Sequence, residues 1–321
     1  MSRLLILSLS AFLSLPAAAQ NASIGGPQLG FVHLPATHEI RPILGIPGST
    51  VLGQPSWTQV DAASIAPGGA WAWTSAAGQS TFLCGLTGSS PAACPVDGVL
   101  AAVDRLAWNR DGSAALLYSS SAGQLQRVRF AGGQPLADPA LDISALGKVT
   151  ALAVDLSAAR MVFGVDGSGF YLWDGQQAPT LLASTAQPGP AVFDGSGRLY
   201  AVDAAALQIF QMDPGSAPAV FADLRQPDGT LFNPAALAVS NGGGRLLLAD
   251  HNGPGLCVYD TASASLTTVI SLNFTPTRLE PLSSGSIFLL NGEKSSEWLL
   301  GVDAGDTPRV FFVPAPEQEQ L

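Results

Sequence analysis

Two stretches of this chain carry nearly the same text, RLYAVDAAALQIFQMD from Arg198 and RLLLADHNGPGLCVYD from Arg245, 47 residues apart. Internal repetition constrains a fold more than any local propensity, because each copy is one supersecondary unit that must bury its apolar faces against its neighbours. The pattern is an apolar run, a glycine-containing turn, and a second apolar run ending in a small polar residue. It recurs as SIAPGGAWAWTS, LAWNRDGSAALLYS, LAVDLSAARMVFGVD, AVFDGSGRLYAVD, LAVSNGGGRLLLAD and LEPLSSGSIFLLN. The turns centre on Gly69, Gly112, Ser157, Ser196, Gly243 and Gly285, with spacings of 43, 45, 39, 47 and 42 residues.

A second hairpin follows each copy, as in GQLQRVRFAGGQPLAD and GLCVYDTASASLTTVI. The runs are short, rich in Val, Leu, Phe and Tyr, and bounded by Gly, Pro, Asp and Ser, which predicts strands. No window sustains a 3.6-residue period. Four strands in a unit of this length make one blade of a β-propeller. Each sheet is apolar on both faces, and a radial arrangement covers every face while leaving only short outer edges. The expected fold is therefore all-β, a propeller of six or seven four-stranded blades, one of them incomplete or composite. The count turns on the N-terminal hairpin GFVHLPATHEIRPIL, which aligns with the second hairpin of a unit. It either covers an edge, forms a reduced seventh blade, or replaces a weak outer strand around Pro95 to Leu100.

With the repeat on the page, RLLLADHNGPGLCVYD and RLYAVDAAALQIFQMD resemble the NHL-type propeller repeat, in which a strand ending in Asp leads through a turn to another strand. LAVSNGGGRLLLAD is also similar to the gluconolactonase-like pattern. The resemblance implies either a secreted propeller that only binds or a hydrolase with a divalent metal in its central channel. The chain departs from the hydrolase pattern in DAASIAPGG, which lacks that family's early inner-strand Glu.

The chain opens with MSRLLILSLSAFLSLPAAAQ, a positive start, a short apolar core and a small-residue cleavage site, which predicts a signal peptide over residues 1–19. The propeller is expected over 20–314 and a flexible acidic tail over 315–321, in a secreted or periplasmic, soluble, monomeric protein without a membrane span. Charged residues are 12% of the chain and the net charge is -10, which argues against nucleic acid and anionic membranes as partners. Cys84 and Cys94 flank a turn-rich loop and are expected to form a disulfide, while Cys257 is expected to be buried and inert.

Aligning the units places Ser75, Ser119, Asp166, Asp203, Asp250 and Asn291 at one recurring position, the end of the second strand. In a propeller such residues ring the mouth of the channel. Asp166, Asp203, Asp250 and Asn291 offer oxygen ligands for Ca²⁺ or another divalent cation. Arg105, Ser119 and Arg278 are candidates for binding a small ligand nearby. The same residue types also accept backbone N–H groups at strand–turn junctions, a purely local role. Arg127 and Arg129 alternate along one strand and are expected on a solvated face; Trp71 and Trp73 are expected to pack between blades. The connection RQPDGTLFNP, residues 225–234, is the longest within the repeat and a natural functional loop. No nucleophile elbow, Walker loop or H-E-x-x-H occurs. These observations point to a binding or scaffolding module recognising a small molecule or protein at the channel mouth. The alternatives are a metal-assisted, lactonase-like hydrolase and a structural surface protein.

Overall fold

The computed structural model describes residues 26–314 apart from 89, 227, 254, 284, 292–298 and 306. The expected signal peptide and tail lie outside the described residues. The strands form seven antiparallel sheets, each made from one continuous stretch of chain. The protein is a seven-bladed propeller, and from blade 2 onward the chain enters each blade at its innermost strand and leaves at its outermost. The inner strands of blades 2 to 7 are Ala62–Ile65, Arg105–Trp108, Val149–Val154, Pro188–Phe193, Pro234–Val239 and Glu280–Pro281. Among the described residues no helix is long and apolar enough to cross a membrane.

Seven apolar clusters hold the ring, one between each pair of neighbouring blades. Between blades 5 and 6, for example, Tyr200, Phe221, Leu246 and Tyr259 pack together, with the Tyr200 and Phe221 rings 5.1 Å apart. Each such fully buried side chain stabilises the fold by about 1.5–3 kcal/mol. Trp71 and Trp73 sit between blades 2 and 3, as the sequence suggested, with Trp71 4.8 Å from Phe130.

The N-terminal hairpin forms the reduced blade, but not in the expected register. It serves as the inner pair of blade 1, Gln28–Leu34 against Glu39–Ile46, followed by Ser49–Leu52. Among the described residues no strand pairs outside Ser49–Leu52, and the two-residue Trp57–Thr58 pairs back onto the middle strand instead. An alternating apolar hairpin reads the same in either half of a blade, so only the partners on each side decide. Here Phe31 packs on Leu83 and Leu86 of blade 2, while Leu29 and Val32 pack with Leu289 and Phe311 of blade 7. A chain that meets its own start this way closes the ring without a shared sheet, by side-chain packing and by a hydrogen bond from Thr50 Oγ1 to Phe312 O at 3.1 Å.

Two further expectations meet different outcomes. Cys84 and Cys94 form a disulfide linking the third and fourth strands of blade 2. Cys257 is buried, and burial, reinforced by Asp250, pushes its thiol up to about 12. Arg127, by contrast, is not on a solvated face: it is 9% exposed and donates from Nε to Asp138 Oδ2 at 2.5 Å and from Nη1 to Ala158 O at 2.7 Å. Blade 4 covers that face of blade 3, and the alternation that reads as polar-outward actually points a cation into the seam. The connection 225–234 is a small hairpin closed by an Arg225–Leu231 bridge, with Leu224 and Phe232 buried in the core between blades 5 and 6.

Candidate functional site

The inner strands of blades 2 to 7 line a central channel of about 260 Å³. Its wall exposes polar and apolar groups in equal measure, and its half-buried apolar side chains include Ile65, Leu106, Trp108, Leu152, Ala191 and Val192. The indole of Trp108 is fixed by donation to Ser64 Oγ at 3.1 Å. Among the described residues two charged side chains line this space, Arg110 at one end and Glu280 at the other.

Where the inner strands begin, the near mouth opens into a cleft of about 420 Å³ lined by Ser64, Asp104, Arg105, Thr277, Arg278 and Glu280 among others. The structure therefore brings Arg105 and Arg278 together. Arg278 pairs with Glu280 at 2.8 Å, and Asp104 accepts the N–H of Ser120. Arg105 is exposed and makes no hydrogen bond or ion pair among the described residues. His33 faces the same end, its Nε2 3.0 Å from Val60 O. Burial depresses its pKa, the Val60 bond opposes that, and nearby Arg278 adds to the depression.

The six polar positions read from the repeat all fall at or just beyond the ends of the second strands, on the near-mouth side. They are set one strand back from the axis, about 4.8 Å outward, and none lines the channel. Their oxygens are engaged locally. Asp203 Oδ1 accepts from Thr185 Oγ1 at 2.5 Å and from Ala206 N at 3.0 Å. Buried Asp250 accepts from the N–H groups of Asn233 and Asn252. Asn291 Oδ1 accepts from Leu300 N at 2.9 Å. Ser119 is buried against Ser121, and Asp166 is exposed. Among the described residues no three His, Cys, Asp or Glu side chains gather as a metal site.

Where the inner strands end, the far mouth is built by a second repeat-wide position. The last inner residue in four blades carries an oxygen that shapes the turn. Asn109 Oδ1 accepts from Ala114 N, Asp155 Oδ1 from Arg160 N, Asp194 Oδ1 from Arg198 N, and Ser240 Oγ from Arg245 N. Gly112 completes the blade 3 turn at φ +72°, where a Cβ would sit 2.8 Å from Pro67 O of blade 2. The next residue of each blade forms a ring around a hollow at this end: Pro67, Arg110, Leu156, Gly195, Asn241 and Ser283. Arg110 is its one long cation. It crosses from blade 3 to blade 6, where Nη2 donates to Ser240 O and Asn241 Oδ1, both at 2.9 Å.

Sequence reasoning missed Arg110. Its signal was present in LAWNRDGS, the one copy of the repeat with a cation immediately after the inner strand. Its reach across the channel was not, because blades 3 and 6 become neighbours of one axis only when the ring closes.

With this geometry in view, comparison places the chain among propellers and no further. No family model matches it, and no curated protein matches it. Among solved structures it is similar to a protein from Bacteroides fragilis described as a 6-phosphogluconolactonase, with a TM-score of 0.60 and 9% identity over 88% of this chain and 92% of that one. It is similar to a Myceliophteria thermophila β-propeller domain, with a TM-score of 0.54 and 11% identity over 84% and 94% of the two chains. A chain of the nidogen/laminin complex aligns with a TM-score of 0.49 and 13% identity over 76% and 93%. At these identities the likeness is one of fold, which hosts many unrelated functions.

Proposed function

We propose that the protein is a binding module that holds a small, largely apolar molecule in its central channel, admitted through the mouth that carries Arg105 and Arg278. The observation that carries this reading is the channel wall. Apolar side chains such as Leu106, Leu152 and Val192 are only half-buried there, around a space of about 260 Å³. Leaving apolar surface open at the centre of a close-packed ring forgoes burial worth about 25 cal/mol per Å², and an apolar guest restores it. The volume is near the small end of ligand cavities, which run roughly 300–1,000 Å³. The NHL-like repeat supports a module that binds, and the leader-like residues 1–19 together with the Cys84–Cys94 disulfide support action outside the cytoplasm. Against the metal-assisted alternative, one side-chain oxygen each of Asp203, Asp250 and Asn291 already serves a backbone or hydroxyl donor.

Calorimetric titration with a medium-chain alcohol such as 1-octanol tests the reading. Saturable binding is expected in the wild type and its loss in Ala191→Trp, which fills the channel. Absence of binding, or binding that Ala191→Trp leaves unchanged, overturns it.

A further inference from the structure

We propose that Arg110 is the head-group receptor of the channel and that the natural ligand is an apolar monocarboxylic acid, its chain along the channel and its carboxylate on the guanidinium. The inference rests on the channel-binding reading above and specifies the ligand class.

Three observations carry it. Arg110 borders both the channel and the far-mouth hollow, so its guanidinium forms the floor on which a guest entering from the near mouth would rest. Burial disfavours its charge, and no carboxylate lies within ion-pair distance of it among the described residues; Asp194, the nearest opposing charge, acts only through space. Asp194 Oδ1 is itself committed to Ser196 and Arg198, and Asp111, also at this mouth, accepts from Ser113 N. Finally, both Nη2 hydrogens are spent on blade 6, while Nε and Nη1 have no acceptor among the described residues. A guanidinium anchored through Nη2 keeps Nε and Nη1 for single charge-assisted hydrogen bonds to a carboxylate oxygen, the two-point forks through Nη2 being taken by blade 6. The wall carries no second unpaired cation, since Glu280 is held by Arg278. One cation fits one negative charge, and the apolar side chains of the wall fit an alkyl or aryl body.

The test compares octanoate with 1-octanol by calorimetry at neutral pH, in the wild type and in Arg110→Gln, Arg110→Lys, Arg105→Gln and Ala191→Trp. Octanoate is expected to bind the wild type about tenfold or more tighter than octanol, the advantage of a charge-assisted bond. Arg110→Gln should remove that preference while leaving octanol binding in place, and Arg110→Lys should restore part of it. Equal affinity of the two probes in the wild type overturns the head-group assignment while leaving the channel reading intact. So does a preference lost in Arg105→Gln instead, or one that survives channel filling in Ala191→Trp. If neither probe binds, the channel reading itself has failed.

Discussion

Blade 3 sends two arginines into other blades, and the fold treats them in opposite ways. Arg127, in the seam with blade 4, is neutralised by Asp138, which also accepts from Arg129 at 2.6 Å. Arg110, at the far mouth of the channel, crosses to blade 6 and meets only a carbonyl and an amide oxygen. A desolvated cation with a fixed carboxylate is structure. One without a carboxylate leaves electrostatic energy unrealised, and it does so beside the central channel.

The largest expected effect comes from breaking the neutralised pair. Asp138→Ala leaves buried Arg127 without its counter-charge, and removing one partner of a buried pair typically costs about 3–5 kcal/mol. Urea unfolding of the variant should show that loss in its midpoint. A wild-type midpoint would mean that the seam does not depend on the ion pair. Next in size is Asp194→Ala at the far mouth. Its Oδ1 accepts two backbone N–H groups and the Ser196 hydroxyl, and at about 1 kcal/mol per bond the loss is about 2–3 kcal/mol. Arg110→Met then supplies the contrast. It gives up two hydrogen bonds but also relieves an unpaired, partly desolvated charge, so the unfolding free energy should move by no more than about 1 kcal/mol. If Arg110→Met proves as destabilising as Asp138→Ala, the two arginines are both structural and the contrast collapses.

Much of the fold was legible because a repeat states its own architecture: six turn centres at nearly even spacing demand radial sheets whatever the local propensities. The seventh blade was harder, since GFVHLPATHEIRPIL carries the same alternation in either half of a blade and only the closure contacts of Phe31 and Val32 fix its place. For the site, strand ends could be aligned, so Asp203 and Asp250 were placed at the right height along the blade. Their distance from the axis could not be read, because how far a second strand stands from it depends on how the ring of blades closes. Arg127 misled for a related reason. Alternation shows that two side chains share a face, not whether another blade covers it. The role of Arg110 was the least legible of all, being defined by Ser240 and Asn241, some 130 residues further along the chain.

The smallest expected effect lies at the near mouth and bears on the metal-assisted alternative. Asp166 is exposed at a turn whose backbone bond, Asp166 N to Lys148 O at 2.9 Å, survives truncation of the side chain. Surface changes of this kind usually stay within about ±0.5 kcal/mol, so Asp166→Ala should unfold with the wild type. A cation held jointly by Asp166, Asp203, Asp250 and Asn291 makes a different demand. Binding to the native state would raise the melting temperature with calcium by mass action, and Asp166→Ala would weaken that rise. Thermal melts of both proteins with and without millimolar calcium separate the cases. The geometry favours superimposable curves, because Asp203 and Asp250 already hold turns together and sit a strand away from the axis where a shared ion would have to lie. A calcium-dependent rise that Asp166→Ala abolishes would move the chemistry back to this mouth and leave Arg110 as one more tie between blades.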